Sequence, residues 1–262
     1  MRMLIQAWRR GQPQGQQCIS AANRSIGFLE EAAAYLPTCK APAWTLAEPH
    51  KNMTIAHAMW EAARSAAAPD LTPMAAVAGA IADAVADELR RQAMTKIIVN
   101  NGGDIAVRLE DSESIRVAIR PHVDSARVSH TIDLTDAMSI GGVCTSGLGG
   151  RSFTRGIASA VTAFAHRASV ADAAATAIAN AANIESPSIQ RAPASSIDPN
   201  SDLNDLLVTT HVGPLTEREI RLALDQALSY AEQLVKKGTI SGAVITVQEH
   251  TVWTHSMSNV MR

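Results

Sequence analysis

The sequence predicts an α+β fold with a mainly antiparallel sheet and buried, alanine-rich helices. Three observations carry this. Strand patterns come in runs, with helical patterns before and after them, rather than in strict β–α alternation. "SIRVAIRP" and "ARVSHTIDL" alternate apolar and polar residues, as half-buried antiparallel strands do. Two helical segments, "DLTPMAAVAGAIADAVADELRRQ" and "SVADAAATAIANAA", are apolar nearly all round, and such helices are buried.

In chain order, "MLIQAW" reads as a first strand and "RRGQPQGQQ" as a turn region. From Cys18 to Leu36, the positions Ile19, Ala22, Ile26, Leu29, Ala33 and Leu36 have helical spacing, and Pro37 ends the run. A second helix is expected over Ile55 to Ala67. Thr72 and Pro73 have the chemistry of an N-cap and a first-turn proline for the buried helix that follows. "KIIVN" and "IAVRLE" are strands joined by "NGGD", and "MSIGGVCTS" and "GIASAVTAFAH" are two further strands. Residues 186–202, rich in Ser, Pro, Asn and Asp, read as a surface loop or linker within a single domain spanning 1–262. "DLLVTTHV" is a strand. Thr216 and Glu219 form a capping-box pattern for a helix that stops at Gly238, and "GAVITVQEHTVWTH" closes the chain as a strand pair.

Composition excludes several function classes. A chain of 262 residues that is 47% hydrophobic can build its core without disulfides or a structural metal. Aromatics make up only 3%, so that core is expected to be lined by alanine and valine. The net charge of −2 shows no basic excess of the kind nucleic-acid binders carry. Trp8-Arg9-Arg10 and Lys236-Lys237 read as solvated surface. Three cysteines without a CxxC suit a reducing compartment. No apolar run reaches the ~18 residues of a membrane span, and the opening "MRMLIQAWRRG" is too short for a signal peptide. The expectation is a soluble cytoplasmic protein that binds neither nucleic acid nor membrane.

Four segments can carry chemistry. "VNNGGDIAV" is a hairpin signal, and its glycine backbone and amides can also face a ligand. "VCTSGLGGRSFTRG" is neither a Walker A loop nor a GxSxG elbow, although its glycines would let backbone approach an anion. Cys144 has no histidine nearby in sequence, so it reads as a buried thiol rather than a nucleophile. Asp172 and Thr176 share one helix face and could hold a hard cation. Ser169-x-x-Asp172 equally resembles a capping box. Asp83, four residues before Asp87, lies in an apolar run, where a carboxylate needs a partner. The eight histidines show no metal-binding spacing, so no zinc site is expected.

Together "PMAAVAGAIAD", "VNNGGDIAV", "GVCTSG" and "ADAAATAIAN", in this order, resemble the ApbE-like superfamily of FAD:protein FMN transferases. The similarity is strongest to a short cytoplasmic branch and covers nearly the whole chain. The resemblance implies a pocket where these motifs meet, with Mg²⁺ held by Asp172 and Thr176. It makes "NNGGD" and "TSG" pocket-lining candidates and places Asp83 at the acidic end of a "KGYAVD"-like motif. Two features depart from the transferases: Ala78 replaces the lysine before Gly79, and "RSFTRGIASAV" replaces the histidine-containing "HIIDPxTG" segment. Both weigh against FAD, whereas Mg²⁺ keeps its two side chains.

The leading expectation is a small-molecule enzyme that hydrolyses or isomerises a small acid or cyclic amide. Its candidate catalytic groups are Asp104, Ser146 and Asp83. Substrate would be held by Asn100, Asn101, Gly102, Gly103, Thr145, Gly147, Arg151 and Arg155, with the cation at Asp172 and Thr176. The alternatives are an FAD-binding, FMN transferase-like activity and a non-catalytic scaffold whose alanine-rich helices form an oligomer interface. A homodimer is the expected assembly.

Overall fold

The computed structural model describes residues 2–122, 128–150 and 152–262. The main sheet has eight strands: β1 (Leu4–Arg9), β2 (Gln12–Pro13), β3 (Lys96–Asn101), β4 (Asp104–Leu109), β7 (Gly142–Ser146), β8 (Ala160–Ala165), β11 (Gly242–Val247) and β12 (His250–Trp253). Their spatial order is β12-β11-β8-β7-β4-β3-β1-β2. Two hairpins stand apart, β5 (Ser114–Ile119) with β6 (His130–Thr135) and β9 (Ile189–Pro193) with β10 (Leu207–Val212). Every strand pairing among the described residues is antiparallel. Ala126 and Arg127, read with β6 from the sequence, lie outside the described residues.

The period-2 pattern assigns the two faces of the sheet. Val99, Ala106, Cys144, Ala163 and Ile245 face the helices α1 (Gly15–Tyr35), α3 (Val77–Arg91), α4 (Ala168–Ala181) and α6 (Glu217–Lys236). Their neighbours Val143, Phe164 and Val244 pack on the opposite face against the β5–β6 hairpin and Met257. α2 (Thr54–Ser65) lies outside α1 and α3, with Ile55 and Met59 packed against Tyr35 and Ile81. α3 and α4 are buried as their apolar surroundings require. The capping box of α6 forms, with Thr216 accepting from the Glu219 N–H and Glu219 accepting from the Thr216 N–H at 2.8 Å. Among the described residues no helix is long and apolar enough to cross a membrane.

Three sequence expectations need correction. The stretch 186–202 is not an open loop, since it contains β9 and the short α5 (Ala194–Ile197), which β10 stabilises by pairing. Thr72 does stand at an N-cap position with Pro73 next, but of a 3₁₀ turn, Pro73–Ala76, that precedes α3, and its hydroxyl donates to Asp202 instead of capping. α1 forms where expected, and the stripe marked by its apolar spacing is the one it turns outward. It buries Ala21, Ser25, Ala32 and Tyr35 and leaves Ile19, Ala22, Ile26, Leu29, Ala33 and Leu36 exposed. Both stripes have helical spacing, so periodicity alone does not choose between them.

The third correction concerns capping. α4 receives no cap from its own side chains. Asp172 instead accepts from the Gly79 N–H at 2.9 Å, at the start of α3. Asp83 of α3 in turn accepts from the Ala168 and Ser169 N–H groups at 3.1 and 2.9 Å, at the start of α4. Each helix thus supplies the carboxylate that its neighbour's unpaired N–H groups and positive dipole end require. The same device recurs at α2, where Glu31 of α1 accepts from Ile55 at 2.7 Å.

Candidate functional site

A cavity of about 960 Å³ opens where β4, β7 and α4 meet the turns around them. α4 provides one side through Asp172, Thr176 and Asn180, spaced four residues apart and therefore on one helix face. β7 presents Thr145 and Ser146 from its end, and β4 begins with Asp104. The turn between β3 and β4 adds Asn100, Gly102 and Gly103. Gly102 and Gly103 both have positive φ, 73° and 115°, as a two-residue hairpin of mirror-image type requires. The Asn100 side chain accepts from the Gly103 N–H at 2.9 Å and closes the turn. The hairpin and pocket-wall readings of this segment therefore hold together.

Nine of the residues singled out in the sequence line this cavity: Asn100, Gly102, Gly103, Asp104, Thr145, Ser146, Arg155, Asp172 and Thr176. Three do not. Asn101 is buried and its amide donates to the Ala78 carbonyl at 3.1 Å, which anchors the start of α3. Gly147 has φ +145°, and a Cβ there would stand 2.8 Å from the Ser159 carbonyl, so its role is backbone fit. Asp83 is 1% exposed and fully engaged, pairing with Arg108 at 2.8 Å and Arg167 at 3.3 Å in addition to capping α4. Burial disfavours the Arg108 charge, but Asp83 and Asp87 outweigh it and hold its pKa above the ordinary value. This is a structural ion network, and it is why Asp83 is not placed for acid–base work. Arg151 lies outside the described residues.

The hydroxyls and cations of the site have local partners. Thr145 shares a hydrogen bond of 2.8 Å with Thr162, and the Thr176 hydroxyl reaches that of Ser146 at 3.4 Å. Arg155 forms an ion pair with Asp70, and its backbone N–H donates to Asn180. Cys144 points away from the cavity, with its thiol 3.2 Å from the Ala168 carbonyl. Burial, followed by the charges of Asp104, Asp172 and Asp83, pushes this thiol well above its usual pKa, the opposite of an activated nucleophile.

Asp172 is the electrostatic centre of the site. Burial raises its carboxyl pKa well above the usual carboxylate range, and the charge of Asp104 adds to this. Hydrogen bonds from the Gly79 and Ala78 N–H groups offset part of the rise, and Asp83 contributes a smaller increase. Two mutually repelling carboxyls beside hydroxyls suit a hard cation, and Mg²⁺ commonly takes one or two carboxylates with water and ligand phosphate completing its shell. Among the described residues no group of three His, Cys, Asp or Glu side chains could hold a metal alone. A cation here would therefore draw on Asp172, Thr176 and a ligand.

Gly79 joins the fold to the site. A Cβ on it would lie 2.3 Å from the Ala168 carbonyl. Gly79→Ala is expected to push α3 off α4, lengthen the Gly79–Asp172 bond and cost about 1–3 kcal/mol. A urea midpoint indistinguishable from wild type would contradict this close packing.

Sequence reasoning missed Asn180, Asp70, Asp202, Arg120 and His122, all of which line the cavity. Asn180 was within reach, because it continues the spacing of Asp172 and Thr176. The other four come from distant segments, and no local pattern marks them.

The comparison with protein families decides the affiliation. The family model described as "AbpE bacteria" matches residues 1–254. The chain belongs to this family. Among curated relatives of this AbpE-family chain, a UPF0280 protein of Methanopyrus kandleri is 43% identical over 140 residues, 52% of this chain and 54% of that protein. A UPF0280 protein of Methanothermobacter thermautotrophicus is 40% identical over 122 residues, 46% of each. The chain thus spans about half the length of the curated relatives it matches. Among solved structures, the flavinyl transferase ApbE of Pseudomonas stutzeri is 19% identical with a TM-score of 0.42, covering 73% of this chain and 54% of that one. An ApbE protein of Thermotoga maritima is 14% identical with a TM-score of 0.44, covering 74% and 54%.

Proposed function

We propose that this chain is a flavin-binding enzyme of the FMN-transferase type, taking FAD together with a divalent cation. The observation that carries the reading is the convergence of Asp172, Thr176, Asp104 and Ser146 in one cavity of about 960 Å³. That volume lies at the upper end for small-molecule sites and suits a dinucleotide-sized ligand. Membership of the AbpE family supports the same reading. When bound, the cation would supply positive charge for the pyrophosphate. Asp172 and Thr176 would hold the cation, and the glycine turn at Gly102–Gly103 would bring backbone against the ligand. Thr145 and Ser146 would orient it by hydrogen bonds.

The alternative of hydrolysing or isomerising a small acid has less geometric support. Arg155, one of the cations that would hold an acid substrate, is already paired with Asp70. Thermal denaturation tests the proposal. Millimolar FAD with Mg²⁺ is expected to raise the melting temperature, and either one alone to raise it less. An unchanged melting temperature with both present overturns the flavin reading.

A further inference from the structure

β5 has an unpaired edge, and that edge borders the cavity. Among the described residues β5 pairs with β6 and with no other strand. Ala118 stands opposite Thr131 in this ladder. The Thr131 N–H and carbonyl are both taken by Arg262 on the far side of β6, at 2.8 and 3.0 Å. They point away from β5, so Ala118 and Thr131 form a non-hydrogen-bonded pair, in which the Ala118 N–H and carbonyl also point outward from the hairpin. The Ile119 carbonyl, by contrast, turns inward and accepts from the Ser129 N–H at 2.9 Å. The outward side is the cavity side. Val117, Ala118, Ile119 and Arg120 all line the cavity, whereas no residue of β6 does. Successive side chains of a strand point to opposite faces, so an unbroken lining run means that β5 meets the cavity along its edge.

We propose that this edge receives an extended peptide segment of another protein, added as a third strand beside β5. A bare strand edge is a template for a further strand, and its N–H and C=O groups bind main chain with little regard to sequence. Ile105 of β4, Val143 and Thr145 of β7 and Ala160 of β8 line the same cavity and give the segment a floor. The next β7 residue is Ser146, whose hydroxyl meets that of Thr176, so the floor leads to the proposed cation position. At the other end of the edge, Arg120 is exposed and has no ion partner among the described residues, and His122 meets the exposed Glu249 at 3.7 Å. Both favour an acidic side chain at that end of the peptide. A single strand needs about 4.8 Å beside β5, whereas a folded second copy would bring packed layers about 10 Å thick against the cavity floor. The alanine-rich helices α3 and α4, expected from the sequence to form an oligomer interface, are covered by the chain's own core. The peptide's role as acceptor of a transferred group rests on the flavin-transferase reading above; its docking does not.

Fluorescence anisotropy reads the docking. The probe is a labelled peptide of alternating threonine and valine, about six residues long as a strand usually is, with an aspartate added at each end. Without FAD or Mg²⁺ it should bind the wild type, and more tightly than the same peptide with lysine ends. Ala118→Pro removes an outward N–H at an edge position where proline is tolerated. It should weaken binding about 3–10-fold and leave the circular-dichroism melt unchanged. Peptides N-methylated at alternate amides test the same bonds without altering the protein: one register should lose binding and the other keep it. Arg120→Glu should reverse the preference for aspartate ends over lysine ends. Absence of binding to the wild type, full binding by both N-methylated registers or by Ala118→Pro, or an unreversed preference in Arg120→Glu would each overturn the proposal. So would displacement of the peptide by FAD with Mg²⁺, which would assign the edge to the flavin, or a wild-type dimer that Ala118→Pro dissociates in sedimentation, which would assign it to a second copy. Intact peptide binding in a protein whose melting temperature ignores FAD and Mg²⁺ would remove the transferase reading and leave the docking edge standing.

Discussion

Asp172→Asn is expected to stabilise the ligand-free protein and to abolish cation-dependent ligand binding. Burial and the nearby Asp104 charge hold the Asp172 carboxyl pKa well above its ordinary value. A carboxyl raised in the folded state contributes stability that is fully present below its unfolded pKa of about 3.9. That contribution is lost as pH rises through the folded pKa. Asparagine cannot ionise and keeps an acceptor for the Gly79 N–H, so the variant should gain on the wild type as pH rises. The asparagine variant should therefore melt higher than the wild type at neutral pH and above, with the difference widening as pH rises. A cation held by Asp172 would compete with its proton, so the proposed binding should tighten as pH rises. Melting curves from about pH 5 to about pH 9, with and without Mg²⁺ and FAD, read both effects. A variant less stable than wild type at every pH would contradict the electrostatic account.

Asp83→Ala should be the most damaging single change to the fold. Among the described residues it leaves Arg108, 7% exposed, with only Asp87 for an ion partner, and it removes the acceptor for the first N–H groups of α4. Breaking a buried pair of this kind costs about 3–5 kcal/mol, so much of the folded population should be lost. Asp83→Asn should lie between, since it keeps an acceptor for Ser169. Asp87→Ala should cost less, because Arg108 retains Asp83. Urea unfolding gives this order directly. A stable but inactive Asp83→Ala protein would instead make Asp83 a chemical group.

The parts of the fold and site legible in the sequence were those fixed by local pattern. The all-round apolar character of α3 and α4 required burial, and the Thr216–Glu219 pair marked the start of α6. Asp172 and Thr176 share a face because they are four residues apart, and the glycine turn of "NNGGD" has few conformations open to it. What could not be read depended on how elements cross. The assignment of Asp83 and Asp172 to their helices follows from the contact between α3 and α4 at Gly79, which capping patterns within one helix do not encode. Asp70 and Asp202 reach the cavity from loops far away in the chain. In α1 two stripes compete on equal spacing, and tertiary packing selected the one containing Ser25, Phe28 and Tyr35.

The exchange of caps between α3 and α4 has a consequence for inheritance. Each aspartate supports the other's helix, so neither can drift without loosening the neighbour. Asp83 should therefore persist in descendants of this chain as stubbornly as Asp172, although only Asp172 borders the cavity. A position kept by evolution here can be a keystone of the architecture while its counterpart in the exchange faces the cavity.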